Sequence, residues 1–212
     1  MRTVIRTIGL LVAAISGPSV TAAQAPTLDF AAGTGKEMAW GAVASFVPLF
    51  GDVNRVWAGL GVRAQVFGGE PQPFANRGPN NDDALDGDVT IDPAVWALNL
   101  AVTAEARIAG PVGIGFNLDL AGIGAGPTRR SATTEARVHR GNLFLYGNAD
   151  RGALNSEYYV SVRASPRVRL RAGLTHFVLG YDVKDLTSIA LPSPESRYQR
   201  FATGVFVGVR VR

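Results

Sequence analysis

The residues of this 212-residue chain with chemistry to offer are two histidines, an acidic stretch, an arginine-rich stretch and a series of charges spaced two apart. A catalytic histidine needs a nucleophile and an orienting acid nearby. His176 falls on the apolar register of its strand, and His139 lies in a polar stretch and reads as a solvated loop residue. "NNDDALDGDVTID" (80–92) clusters carboxylates of the kind that hold Ca²⁺ or Mg²⁺. Its spacing departs from a helix–loop–helix calcium site at Ala84, so it reads as a solvated acidic loop. "RRSATTEARVHR" (129–140) brings together Arg129, Arg130, Arg137 and Arg140. Guanidinium forks of this kind pair bidentately with phosphates. The chain has no cysteine, hence no disulfide and no thiolate metal site. It also shows no phosphate-cradling glycine loop, zinc spacing or nucleophile elbow. No cofactor is expected.

The spaced charges are informative through the elements that must carry them. In "VWALNLAVTAEARI" (95–108) the even positions are Trp96, Leu98, Leu100, Val102, Ala104, Ala106 and Ile108, while the odd ones include Asn99, Thr103, Glu105 and Arg107. The same period of two, the signature of a strand, runs through 55–67, 112–123, 154–164, 167–181 and 200–212, and more weakly through 36–48. Each segment has an apolar side, with charges and glycines opposite.

A soluble barrel or sandwich buries such an apolar side, whereas a transmembrane barrel turns it to lipid and keeps the polar side within. Segment length favours the second, since tilted membrane strands need ~9–11 residues against ~5–6 for globular ones. The connectors agree: 51–54, 109–111 and 165–166 are tight, whereas 68–92, 125–153 and 183–197 are long and rich in Pro, Gly, Asn, Asp and Ser. Alternating short inner turns and long outer loops are an outer-membrane pattern. Closing such a barrel requires one further strand before 36–48, and "TLDFAAG" (27–33), with Leu28 and Phe30 on one side, is the candidate. The expectation is all-β: a closed, up-and-down, antiparallel transmembrane barrel of about eight strands. "NLFLYG" (142–147) belongs to the long external excursion or extends the barrel above the membrane.

The N-terminus, "MRTVIRTIGLLVAAISGPSVTAAQA", reads as a signal peptide over 1–22, with basic Arg2 and Arg6 and a short apolar core. Cleavage is expected after Ala22 or as late as Ala25, leaving one barrel domain over 26–212. The formal charge of +4 does not call for nucleic acid.

The inward candidates are Arg63, Glu105, Arg107, Asp119, Glu157, Arg163, Arg169, Arg171 and Arg210. Buried charges are tolerated when paired, so a network filling the lumen is expected. A narrow anion path lined by the excess arginines is the alternative. Outer-membrane lipid A deacylases pair a His with a Ser two residues on, and Val178 departs from that pattern.

"GIGFNLDLAGIGAGP" (113–127), "LFLYGNADRGALNSEYYV" (143–160), "VRLRAGLTHFVLGY" (168–181) and "SRYQRFATGVFVGV" (196–209) resemble a group of uncharacterised bacterial outer-membrane β-barrel proteins. The likeness covers roughly the C-terminal half. It implies a barrel placed in the outer membrane by the barrel-assembly machinery, and it supplies no activity. The chain departs by ending in Val211-Arg212, where many outer-membrane barrels end in an aromatic. The expected role is a structural or binding scaffold whose loops meet lipopolysaccharide, with Arg129, Arg130, Arg137 and Arg140 as contacts. The alternatives are a lipid-modifying enzyme and a soluble secreted barrel for a small apolar ligand.

Overall fold

The computed structural model describes residues 24–36, 40–52, 55–76, 88–145, 150–187 and 196–212. The proposed signal peptide and residues 80–87 of the acidic stretch lie outside the described residues. The strands are β1 (Gln24–Gly35), β2 (Trp40–Gly51), β3 (Val56–Gly68), β4 (Gln72–Asn76), β5 (Val89–Ile91), β6 (Ala94–Ala109) and β7 (Val112–Ala125). There follow β8 (Arg129–Arg130), β9 (Thr134–Val138), β10 (Gly141–Leu143), β11 (Leu154–Arg163), β12 (Val168–Asp185) and β13 (Ser196–Val211).

Eight of these are the staves of a closed antiparallel barrel, in the order β1, β2, β3, β6, β7, β11, β12, β13. Closure is made by β1 against β13, from Leu28 opposite Val211 to Gly35 opposite Gly204. The strand expected at 27–33 is therefore present and longer, at 12 residues. The five short strands lie between staves. The β4–β5 hairpin docks on β13 through Ala75 and Asn76, the β8–β9 hairpin extends the sheet beyond β11 along β12, and β10 pairs with β7.

The side-chain period sends apolar groups outward. Leu98, Leu100, Val160 and Leu170 are 48%, 43%, 50% and 53% exposed, while Glu105 is 2% exposed. Leu28, Phe46, Leu60, Ile114 and Val205 carry the same apolar face onto the remaining staves, so it runs around the whole barrel. Trp40 and Trp96 stand outward towards the loop-bearing end and Phe50 towards the turn end, with Tyr158 outward between them. A register shift between Leu100 and Ala101 on β6, opposite Leu120 of β7, explains why Ile123 rather than an even-numbered neighbour faces out. A bulge of this kind moves the following side chains to the other face.

The interior has two levels. Towards the loops it is apolar: Phe67 packs on Phe177, with ring centroids 5.2 Å apart, and Phe74 meets Tyr181 edge-on at the same distance. Leu179, Val183, Val138 and Tyr198 complete this seal. Towards the turns the interior is charged.

Candidate functional site: the charged lumen

Alternation on seven of the eight staves aims ionic side chains at the barrel axis, where they form one chain of opposite charges. Asp119 on β7 pairs with Arg63 on β3 (3.0 Å), and Arg63 pairs with Glu157 on β11 (2.8 Å). Glu157 pairs with Arg171 on β12 (3.4 Å), which in turn grips Asp29 on β1. Asp29 also takes Arg210 of β13 (2.7 Å). Arg210 reaches Glu105 on β6 (3.1 Å), and Arg169 of β12 closes the series on Glu105 at 2.5 Å. Four arginines thus stand against four carboxylates with strict alternation of sign. All eight are buried except Arg169, which is partly covered.

Neutral groups satisfy part of what the ions leave over, while among the described residues Arg63 Nε and Arg171 Nε stay without a hydrogen-bond partner. Asn117 donates to Glu157 (2.6 Å), Ser161 to Glu105 (2.8 Å) and Asn99 to Asp119 (2.7 Å), and the Asn155 backbone N–H also donates to Asp119. Arg171 lies 4.7 Å above the Tyr159 ring and Arg210 4.6 Å above Trp57. Cationic guanidinium groups gain from aromatic faces when desolvated. Glycine makes room: a Cβ on Gly115 would come within 2.7 Å of the Tyr159 ring. Asn142 and Ala153, from the segment between β7 and β11, reach in and bond Asn99.

Of the expected lumen residues, the structure joins Arg63, Glu105, Asp119, Glu157, Arg169, Arg171 and Arg210. It leaves two outside. Arg107 is exposed at the turn end, where its Nε donates to the Gly110 carbonyl, because its rung lies at the last register shift of β6. Arg163 is half-buried at the mouth. Asp29 is the member that sequence reading missed. The available signal was its place between outward Leu28 and Phe30.

The loop arginines are largely engaged with carboxylates. Arg129 pairs with Asp92 (3.0 Å), Arg130 pairs with Glu135 across the β8–β9 hairpin (2.5 Å) and Arg137 pairs with it along β9 (2.6 Å), while Arg140 is exposed. The hydrogen bond from Arg130, with the charges of Arg130 and Arg137, holds the Glu135 carboxyl below its usual range. His139 is not the solvated loop residue expected: it is half-buried, with Nδ1 2.8 Å from Asp182. The expectation failed because β9 pairs with β12 across a large sequence separation, which brings Asp182 close. His176 faces outward, stacked on Phe201 with Nδ1 2.9 Å from the Thr203 hydroxyl. Neither partner is a serine.

No family model matches the sequence, and no curated protein matches it. Among solved structures the chain is similar to Neisserial surface protein A. The crystal structure of that protein shares 14% identity over 88% of this chain and 94% of that one, with a TM-score of 0.40.

What the lumen can do follows from its own geometry. An ion crossing it would have to part successive buried pairs and then pass the aromatic seal, both costly steps. The cavity between Ala31, Val43, Glu157, Phe177 and Phe206 measures only about 10 Å³, less than a water molecule occupies. The arrangement ties seven staves together around the axis.

Proposed function

We propose that the chain is a small integral outer-membrane protein: a closed barrel whose side-chain-filled, electrically balanced lumen makes a rigid scaffold for the loops at its far end. The observation that carries this reading is the uninterrupted apolar exterior around a charged interior. Soluble proteins seldom expose a contiguous apolar patch beyond a few hundred Å², whereas a barrel in lipid requires an apolar band with aromatics near its edges. A carrier of small apolar ligands would need a dry cavity in its centre, where Arg63, Glu157 and Arg171 stand instead. On this reading the short turns and both ends of the barrel domain face the periplasm, and the β4–β5 and β8–β9 hairpins face the exterior. Exposed Arg130, Arg137 and Arg140, with Arg129, are then placed to contact lipopolysaccharide phosphates. The scaffold role is a binding or structural one rather than a catalytic one.

Cell fractionation tests the reading. The protein should pellet with outer membranes and require detergent for release, and protease added to whole cells should cut only in the loops at 68–92, 125–153 and 183–197. Recovery in the aqueous phase without detergent would overturn it.

A further inference from the structure

Register puts Gly180 of β12 and Gln199 of β13 opposite each other on the outward face of their strands, yet both are buried. The chain leading into β11 covers them. A Cβ on Gly180 would come within 2.9 Å of the Gly152 nitrogen, and Gln199 Nε2 donates to the Asp150 carbonyl. The segment is pinned. Leu143 and Arg151 exchange backbone hydrogen bonds (3.0 and 2.9 Å), and Phe144 N–H donates to the Leu120 carbonyl (2.8 Å). Asp150 Oδ1 accepts from the Leu145 N–H (2.7 Å). Residues 141–145 and 150–153 thus form a strap in and over the barrel wall at its loop end.

Alternation decides what the strap presents. Asn142 points into the lumen, where it bonds Asn99, so its neighbour Leu143 points out and is 42% exposed. Leu145, two residues on, is 48% exposed, and Ile123, opposite Gly141, is 64% exposed. Arg151 lies directly opposite Leu143 and therefore shares its face. Arg151 and Arg140, the latter just before the strap, are exposed, and neither guanidinium has a carboxylate partner among the described residues. Asp150 is buried with its carboxylate turned to the Leu145 N–H, which withdraws its charge from this face.

We infer that this face is a binding site for one phosphorylated, acylated lipid of the outer leaflet, lipid A. A guanidinium fork matches a phosphate bidentately, and Arg151 offers one beside apolar side chains that suit an acyl chain. A soluble phosphate would leave Leu143, Leu145 and Ile123 without a role, and an uncharged lipid would leave Arg151 without one. The inference rests on the membrane reading above and adds a particular site to it.

The test titrates the full chain, in uncharged detergent micelles, with lipid A, dephosphorylated lipid A and inorganic phosphate, and counts bound molecules by native mass spectrometry. A single lipid A should bind saturably, and inorganic phosphate should not. Dephosphorylated lipid A should bind about tenfold more weakly, the worth of one charge-assisted hydrogen bond. R151Q should weaken lipid A binding by the same factor and leave the dephosphorylated form unchanged, whereas L143S/L145S should weaken both. Circular dichroism checks the fold of each variant. No saturable lipid A binding to wild type, inorganic phosphate binding as tightly as lipid A, or unchanged lipid A affinity in either folded variant overturns the inference. Insertion of wild-type protein into phosphatidylcholine vesicles without lipid A judges the membrane reading separately. A protein that inserts there but ignores lipid A loses this site alone, and one that stays in water loses the membrane reading.

Discussion

Asp29 joins the two halves of the lumen series, so its neutralisation is the most revealing single change. Arg171 donates to one carboxylate oxygen, and Arg210 donates to the other through Nη2 (2.7 Å) and Nε (3.1 Å). Asp29→Asn keeps the shape, removes one charge from a balanced set and turns an amide NH₂ towards a guanidinium, donor against donor. Removing one partner of a buried pair costs about 3–5 kcal/mol. Arg171 keeps Glu157 and Arg210 keeps Glu105, which places the expected loss at the lower end, about 3 kcal/mol. With a urea slope of about 2 kcal/mol/M, the unfolding midpoint should fall by about 1.5 M. The assay is reversible urea unfolding in lipid vesicles, followed by tryptophan fluorescence. Asp29→Asn combined with Arg171→Met restores neutrality and should show a coupling of about 2 kcal/mol between the sites. A loss within about 0.5 kcal/mol of wild type would mean that water reaches and screens the carboxylate, and the dry ionic lumen would be refuted.

Other expectations can be checked with the same protein. Leu98→Arg should cost about 2–4 kcal/mol more than Leu98→Ala in vesicle unfolding if this face meets lipid, and nearly nothing if it meets water. Planar bilayers carrying the wild-type protein should show no stepwise conductance, because the series and its aromatic seal leave no continuous path. Gly115→Val should lower stability by about 1–3 kcal/mol through overpacking against Tyr159, read as a urea midpoint shift. Glu135 has its folded-state pKa depressed, chiefly by the Arg130 hydrogen bond. Its contribution is therefore present above the unfolded carboxyl value of about 4.3 and is lost as pH falls through the lower folded value. Protease protection of the β8–β9 hairpin should decline in that acid window, and Glu135→Gln should abolish the decline.

The staves were legible because outward-facing and lumen-facing side chains differ in kind, so each strand prints its own alternation. Leu98, Leu100, Val160 and Leu170 lie where that alternation puts them. Asp29 escaped notice because its strand is rich in small and apolar residues and its one charge has no neighbouring charge at i±2. Arg107 obeys the inward period, but a period does not say where a barrel ends, and its rung lies at the register shift that closes β6. The aromatic seal was hidden for a different reason. From Phe177 to Tyr181 both faces of β12 are buried, so the alternation fades where tertiary cover takes in the outer face. The pairs that make the outer end, such as Tyr181 with Val138 and Tyr198 with Asn76, join distant segments through short strands with no periodic signature.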